Sequence, residues 1–320
     1  MRPFALLLLP LLLHAAAPIA GHDAPGFSRL MVGRFEVTTL TDGTFNFPAK
    51  DLLTNIPAAD LDEALSKAFL SSPYQMSINA FLINTGAKLI LIDTGLGSLP
   101  SELPEILARF GKGYYGRLLE NLAAAGYRPE QVDEILLTHL HPDHLGGLAR
   151  AGTRVFPNAI VRAEKRDADY WLSAQEAAKH PEDPRFKAAA HALDPYIRAN
   201  RFQPFSGPAE PIPGIHAEPA AGHTAGHTVY RIESEGQKLM LWGDLLHVPA
   251  VQFSRPETTI RYDTDSTQAA ATRAVRFAEA AREGWLVGAA HIPFPALGHI
   301  RREGESYVWV PVNYNLISAP

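Results

Sequence analysis

THLHPDHLGG, residues 138–147, follows the short apolar run Glu134–Leu137 and places three imidazoles and one carboxylate within six positions. The proline and the paired glycines indicate a loop, where side chains carried by the end of a strand can converge. Imidazole and carboxylate bind zinc and related divalent metals, and imidazole is mostly neutral near pH 7. A lone histidine would be an ordinary hydrogen-bonded residue, whereas this cluster predicts a metal site. Its members are His139, His141, Asp143 and His144.

Three later segments offer further ligands. GHTAGHT, residues 222–228, is a glycine-flanked turn with two imidazoles, His223 and His227. The motif WGD ends at Asp244 after an apolar run, and AAH ends at His291 after another. An aspartate after a strand is usually a turn former. Together with the histidine cluster, however, Asp244 and His291 become candidate ligands.

The combined pattern H-x-H-x-D-H, G-H-T-x-G-H, G-D and A-H resembles the metallo-β-lactamase superfamily. LIDTG, residues 91–95, resembles the early strand-end signature of that family. The resemblance extends from about Arg34 to the C-terminus. It implies an α/β fold, the αββα four-layer sandwich, with a metal site in the cleft between the sheet edges.

The resemblance also implies a role for each candidate residue. Asp244 would bridge two metal ions, because a carboxylate has two oxygens whereas an imidazole has one free lone pair. Asp93 and His227 would lie outside the ligand set and orient ligands or hold their loops. The implied ligands are His139, His141 and His223 for the first ion, and Asp143, His144 and His291 for the second.

The implied activity is hydrolysis with two divalent ions, zinc by default and manganese, cobalt or iron as alternatives. A hydroxide that bridges the ions would attack, one ion would polarise the scissile bond, and Asp244 or a metal-bound water could return the proton. His141 is not glutamate, which argues against the flavodiiron-type proteins. The chain has no cysteine, which removes the thiolate ligand of the common antibiotic-degrading β-lactamases. It also lacks room for the inserted domain of the nucleic-acid-processing branch.

A finer resemblance is to the methyl parathion hydrolase-like group and neighbouring lactonases. It rests on NLAAAGY at residues 121–127, WGDLLH at 242–247 and HIPFP at 291–295. His247 either faces the pocket, where it would crowd an apolar wall, or is a hydrogen-bonded residue beside the ligands. On the first interpretation we expect lactones or aryl esters as substrates and organophosphate triesters as a side activity. Trp171 is the preferred aromatic pocket residue, with core packing as the competing explanation. The group resemblance also implies a homodimer.

Three alternatives remain open. One is a dedicated methyl parathion-type organophosphate hydrolase. A thioesterase of the glyoxalase II kind would need a basic pocket for glutathione, and Arg301 and Arg302 are the nearest cations. A non-catalytic zinc-binding protein would bind metal without turnover, so assays of activity and of metal content separate these classes.

Composition and the N-terminal segment bear on the partners and the location of the protein. The 320 residues carry a formal net charge of −5, which gives no basic face for nucleic acid. Met1–Ala20 combines Arg2, the apolar run Phe4–Leu13 and several alanines, a pattern typical of a signal peptide and too short to span a bilayer. We therefore expect export to the periplasm, no membrane association after cleavage, and a single domain over residues 21–320.

Periodicity and turn signals predict the elements. Both halves of the chain contain several strands followed by helix, which favours a sandwich over one alternating parallel sheet. Strands are predicted at Arg34–Leu40, Asn79–Asn84, Lys88–Ile92, Glu134–Leu137, Thr228–Ile232, Lys238–Trp242, Trp285–Ala289 and Tyr307–Val310. Helices are predicted at Leu118–Ala125, across residues 163–199 with breaks at Pro181 and Pro184, and from Ser266, as N-cap, to Arg282.

Overall fold

Two β-sheets lie face to face in the computed structural model, which describes residues 19–21, 23–111 and 113–313. All but the last two residues of the predicted signal peptide lie outside these ranges. Within the described residues, the strands in chain order are β1 (Phe27–Val32), β2 (Phe35–Phe47), β3 (Leu53–Thr54), β4 (Tyr74–Asn84), β5 (Leu89–Ile92), β6 (Glu134–Leu136), β7 (Ala149–Arg150), β8 (Thr153–Arg154), β9 (Ile160–Arg162), β10 (Ala209–Ile212), β11 (Ile215–Pro219), β12 (Thr228–Ser234), β13 (Gln237–Leu241), β14 (Thr259–Ile260), β15 (Leu286–Gly288), β16 (Leu297–Glu303) and β17 (Ser306–Pro311).

The first sheet has the strand order β1-β2-β4-β5-β6-β9, and the second has the order β10-β11-β12-β13-β15-β16-β17. The α-helices of the described residues are α1 (Ala49–Leu52), α2 (Ala58–Lys67), α3 (Leu99–Glu102), α4 (Pro104–Phe110), α5 (Leu118–Ala124), α6 (Pro142–Leu145), α7 (Lys165–Trp171), α8 (Ala174–Lys179), α9 (Pro184–Arg198), α10 (Pro249–Gln252) and α11 (Ser266–Glu283). None of them is both long enough and apolar enough to cross a membrane.

Side-chain alternation along β4 explains the layers. Phe81 and Ile83 pack into the core between the two sheets, whereas Ala80 and Leu82 pack into the core beneath the helices. Successive residues of a strand point to opposite faces, so a strand that is apolar throughout must be covered on both sides. The central strands of the first sheet are therefore buried on both faces.

Helices cover the outer face of each sheet. Leu193 and Tyr196 of α9 join the core of the first sheet, as do residues of α5 and α7. On the other side, Phe277 of α11 stacks on Trp242 with ring centroids 5.1 Å apart. The four layers confirm the predicted α/β sandwich.

The elements differ from the predicted ones at several boundaries. Strand β2 runs on to Phe47, because a bulge between Thr41 and Gly43 carries the strand through a sequence that signals a turn. The N-cap of α11 is Asp265 and not Ser266, since the Asp265 side chain accepts a hydrogen bond from the Gln268 backbone N–H. The predicted helical region 163–199 divides into α7, α8 and α9.

The sheets bring four strand ends to one edge of the sandwich. Strands β5 and β6 are parallel in the first sheet, and β13 and β15 are parallel in the second, so their carboxyl ends coincide. Gly243 follows β13 with a φ of 55°, and a Cβ there would lie 2.7 Å from the Cβ of Thr138. Only glycine permits this approach of the two sheets, and the predicted ligands follow these strand ends.

Candidate metal centre

The loops at this edge carry all seven predicted metal ligands. Each of these side chains is buried, so its polar atoms need partners within the protein or a bound ion. They are His139 and His141 after β6, Asp143 and His144 on α6, His223 between β11 and β12, Asp244 after β13, and His291 after β15.

One group of ligands consists of His139, His141, His223 and Asp244, whose ligand atoms all lie within 4.8 Å of one another. His223 Nε2 lies 3.0 Å from His141 Nδ1 and 3.3 Å from Asp244 Oδ2. His139 Nε2 lies 3.6 Å from the same oxygen. Ligands about 2.0–2.2 Å from a tetrahedral zinc ion lie about 3.3–3.6 Å from one another. The spacing therefore fits a single ion.

A second group contains Asp143, His144 and His291. The Nε2 atoms of His144 and His291 lie 3.8 and 3.5 Å from Asp143 Oδ2. The same two nitrogens lie 3.0 and 3.2 Å from Asp244 Oδ1. The two oxygens of Asp244 thus face two different groups, which is the arrangement that a bridging carboxylate requires.

Unpaired buried atoms support the same interpretation. His139 Nε2, His144 Nε2 and Asp244 Oδ1 form no hydrogen bond with the residues that the structure describes. A buried polar atom without a hydrogen bond is costly, and three of them converge here. The residues present therefore fit two divalent ions.

Burial and neighbouring charges set the protonation states of three ligands, His139, His141 and Asp244. Burial lowers the pKa of His139 and of His141 well below the usual value, which favours neutral imidazole with a free lone pair. Burial alone would raise the pKa of Asp244, but His144 and His291 outweigh it and hold that pKa well below its usual range. The central carboxylate is therefore ionised.

Three ligand imidazoles use their second nitrogen in a hydrogen bond. His144 Nδ1 lies 2.8 Å from Asp93 Oδ2, His223 Nδ1 lies 2.9 Å from Asp263 Oδ1, and His291 Nδ1 lies 2.8 Å from the Ser77 carbonyl. Such contacts fix the ring orientation and leave Nε2 for the metal. Asp93 was expected from the sequence, but Asp263 and Ser77 were not.

His223 shows the electrostatic effect of this arrangement. Burial lowers its pKa, but hydrogen bonds to Asp244 and Asp263 outweigh burial and raise the pKa to about 9. Metal binding at this residue consequently releases a proton.

His227 lies beside the ligands rather than among them. Its Nε2 accepts a hydrogen bond from the backbone N–H of Asp244 at 3.1 Å, and its Nδ1 donates to the Ala220 carbonyl at 3.1 Å. Burial lowers the pKa of His227 to about 3, so the ring is neutral and can both accept and donate. His227 thus fixes the backbone that carries Asp244.

Asp167 joins two ligand loops, although no sequence motif marks it. Its carboxylate accepts hydrogen bonds from the Leu140 N–H at 3.3 Å, the Thr224 hydroxyl at 2.8 Å and the Gly226 N–H at 2.6 Å. Leu140 lies between two predicted ligands, and Thr224 follows a third. The contact therefore holds the loop after β6 against the loop before β12.

A cavity of about 40 Å³ lies beside both ligand groups. That space holds a water molecule or two, so a substrate of ester size needs wall side chains to move. The wall combines aromatic and aliphatic residues with cations. Its members outside the ligand set include Phe45, Phe47, Met76, Arg109, Arg185, His247 and Tyr262.

The two predicted pocket residues differ in position. His247 lines the cavity, its Nε2 lies 3.1 Å from Asp244 Oδ2, and its ring stacks on His291. Trp171 does not line the cavity: it is buried with its ring 5.3 Å from that of His141, and packs against Phe186. The structure therefore shows Trp171 as a core residue, in line with the competing explanation.

The cations considered for a glutathione pocket lie elsewhere. Arg301 and Arg302 are exposed on β16 and pair with Glu303 and Glu305. Neither lines the cavity. The basic residues at the cavity are Arg109 and Arg185, which belong to other segments.

Comparison with known proteins identifies the family. Residues 73–303 match the profile described as the metallo-beta-lactamase superfamily. The chain belongs to the metallo-beta-lactamase superfamily. Among curated members, a probable metallo-hydrolase of Mycobacterium tuberculosis is 28% identical over 184 residues, 53% of this chain and 56% of that protein. An N-acyl homoserine lactonase of Bacillus cereus is 27% identical over 169 residues, 50% of this chain and 60% of that protein. The chain thus spans little more than half the length of these curated relatives.

Solved structures of the superfamily match over more of the chain. The hydrolase AbOPH is 38% identical with a TM-score of 0.83, and the match covers 92% of this chain and 100% of that one. AidC, a dizinc quorum-quenching lactonase in complex with the product N-hexanoyl-L-homoserine, is 28% identical with a TM-score of 0.79 over 91% and 99%. These findings confirm the predicted family and the resemblance to its lactonases, and they place the chain among metal-dependent hydrolases.

Proposed function

We propose that the protein is a dinuclear metal-dependent hydrolase that opens lactones or aryl esters, with organophosphate triesters as a side activity. The main support for this proposal is Asp244, because its two oxygens face two separate groups of buried ligands. Similarity to a dizinc lactonase over 91% of the chain supports zinc as the ion and a lactone as the substrate class.

The roles of the chain's own residues follow from their contacts. Two divalent ions bound there would supply an activated water and polarise the scissile carbonyl. Asp93 and Asp263 orient His144 and His223 through their Nδ1 atoms. Asp244, whose Oδ2 lies 3.1 Å from His247 Nε2, would pass a proton to the leaving oxygen.

The cavity wall favours a planar acyl substrate over a bulky triester. His247 keeps one part of the wall polar and narrow, since its ring lies between Asp244 and His291. Phe45 and Phe47 supply an apolar surface on which an aromatic group can pack. An aryl ester or aromatic lactone matches both features.

The deciding experiment compares kcat/KM of the metal-replete protein on an aromatic lactone, an aryl ester and a dimethyl aryl phosphotriester. We expect the lactone or ester to lead by at least about tenfold, about 1.4 kcal/mol in transition-state binding. The matched control is Asp244→Ala, which should lose turnover of all three substrates. A lead of the phosphotriester would contradict the proposed substrate preference and favour a dedicated organophosphate hydrolase.

Chelation separates an enzyme from a metal-storage protein. Activity should disappear with a chelator and return with zinc, cobalt or manganese, because the ligand set accepts each of these ions. Metal binding at about two ions per chain without turnover of any substrate would contradict the hydrolase proposal. Elemental analysis of the same samples gives the metal content directly.

The proposal includes export to the periplasm and a homodimer. Export rests on the pattern of Met1–Ala20, and the homodimer rests on the group resemblance. Amino-terminal sequencing of the periplasmic protein should place the start of the mature chain shortly after the alanines of that segment. Light scattering on the mature protein should give twice the mass of one chain, and the mass of a single chain would contradict the dimer.

A further inference from the structure

Arg109 is a cation of the cavity wall for which the proposed reaction has no role. It lies near the end of α4 and is half-buried, and its side chain lines the same cavity as His141, Asp143 and Asp244. Within the described residues, no hydrogen bond or ion pair engages its guanidinium. Its one close partner there is the ring of Tyr262, 4.3 Å from the guanidinium carbon.

Stacking on an aromatic ring satisfies the face of a guanidinium but not its edges. The five N–H donors lie in the plane of the group, in a fork that matches the two oxygens of a carboxylate. Stacking on Tyr262 therefore holds Arg109 in place while its donors remain available. The ring performs the orienting function that a carboxylate partner would otherwise perform.

Arg185 provides the contrast within the same cavity. Its Nε lies 2.9 Å from each carboxylate oxygen of Asp183, and its Nη1 lies 3.3 Å from His141 Nε2. Its charge is thus compensated by a neighbouring side chain. Arg109 interacts with Asp183 and Asp143 only through longer-range attraction.

Burial of a cation whose N–H donors have no hydrogen-bonded partner costs free energy, which an anionic ligand would recover. Burial lowers the pKa of Arg109 below the usual arginine value, and guanidinium nevertheless remains charged at neutral pH. Hydrogen bonds between guanidinium and carboxylate are about twice as strong as neutral ones. The cavity therefore contains a preformed partner for a carboxylate.

We propose that Arg109 binds a carboxylate group of the ligand, so that the preferred substrates are esters or lactones bearing a carboxylate apart from the scissile bond. This inference rests on the proposed function, whose substrate class it narrows. A carboxylate released by hydrolysis has the same chemistry and would make Arg109 a product-binding residue. The experiment distinguishes the two sources.

The test uses acetate esters of 4-hydroxybenzoate and 4-hydroxybenzamide, which have nearly the same shape and differ in charge. The selectivity is the ratio of kcat/KM for the charged ester to that for the neutral ester. We expect Arg109→Gln to lower this ratio at least about tenfold, since a charge-assisted hydrogen bond is lost. Arg109→Lys should retain part of it, and Arg282→Gln, on the exposed end of α11, should retain all of it.

A binding assay makes the result independent of turnover. Thermal unfolding is measured with 4-hydroxybenzoate or 4-hydroxybenzamide, since a ligand that binds the folded state raises the midpoint. The benzoate should stabilise the wild type more than the amide does, and this difference should vanish in Arg109→Gln. If no ester is hydrolysed, the proposed function fails while this assay still decides the role of Arg109.

Product inhibition identifies the source of the carboxylate. Phenyl benzoate is a neutral substrate that releases benzoate. The inhibition constant of benzoate is therefore measured in the wild type and in Arg109→Gln. A changed constant with unchanged ester selectivity would overturn the substrate preference and assign Arg109 to the product. Equal selectivity, equal benzoate inhibition and equal thermal shifts in both proteins would overturn carboxylate binding by Arg109 altogether.

Discussion

Asp263 illustrates how a single residue outside the ligand set can determine metal affinity. Its carboxylate lies 2.9 Å from His223 Nδ1 and also accepts the backbone N–H of Ile260 at 3.0 Å. The backbone contact fixes the carboxylate, and the carboxylate fixes the imidazole. His223 is thereby held with Nε2 toward His141 and Asp244.

We expect Asp263→Asn to weaken metal binding about 10- to 100-fold, because an amide is a poorer acceptor for the imidazole N–H. A competition titration with a chromophoric chelator measures the affinity of each ion. Asp265→Ser is the matched control, since it keeps an N-cap for α11 two residues away. Equal affinities for Asp263→Asn and the wild type would show that His223 needs no such orientation.

His247 tests whether a wall residue acts through Asp244. His247→Ala removes the hydrogen bond to Asp244 Oδ2, and it should lower kcat/KM for the aryl ester about tenfold. The same change widens the cavity, so kcat/KM for the phosphotriester should fall less. Steady-state kinetics on both substrates, together with metal analysis, measures this. His247 also forms a possible ligand group with Asp244 and His291, so a loss of bound metal would instead identify it as a ligand.

At the scale of elements, the loop after β13 depends on one buried arginine. Arg273 of α11 is 1% exposed, and its guanidinium donates to the carbonyls of Leu245, Pro256 and Thr258. The loop carries His247 between these anchor points. An arginine that donates to carbonyls fixes their geometry without introducing a second charge.

Arg273→Met should lower the free energy of unfolding by about 3 kcal/mol, because the carbonyls of Leu245 and Pro256 lose their donor. The Thr258 carbonyl keeps only the hydrogen bond from Gln252. Urea denaturation followed by circular dichroism measures it. Arg282→Met, an exposed change on the same helix, should cost less than about 0.5 kcal/mol. Similar unfolding midpoints for the two variants would contradict the role assigned to Arg273.

The elements also show what a sequence can and cannot predict. The ligands were recognisable because their spacing is local and each follows an apolar strand. Asp263, Asp167 and Arg109 were not, because each acts on residues from another segment and none belongs to a motif. Strand β16 was missed for a different reason: only Leu297 and Ile300 of its large side chains face the core, and its charged residues hide the apolar pattern.

At the scale of the whole molecule, Asp42 joins the segment after the LIDTG motif to a separate segment of the chain. Its buried carboxylate accepts the backbone N–H groups of Leu96, Gly97, Gly116 and Leu118 at 2.9–3.2 Å. Burial outweighs these hydrogen bonds and raises the pKa of Asp42 to about 6. The folded protein therefore binds this proton more tightly than the unfolded chain does.

Because the pKa of Asp42 is higher in the folded state, its contribution to stability falls as pH rises from about 4 to 6. The change is about 3 kcal/mol. In Asp42→Asn this contribution is absent, so the difference in unfolding free energy between wild type and variant should shrink over that range. Urea denaturation at pH 4, 5, 6 and 7 measures the difference, with the exposed change Asp51→Asn as control. A difference that does not vary with pH would contradict the raised pKa.

Asp244 and His139 lie at the ends of strands from opposite sheets. This arrangement determines when during folding the protein could bind its ions. Neither half of the chain holds a complete ligand set, so the binding site comes into existence only when the two sheets dock. An unfolded chain would bind such ions weakly, and affinity would rise as folding finishes. With export as proposed, the metal that the protein would carry is set by the supply in the compartment where the chain completes its folding, rather than in the compartment where it is synthesised.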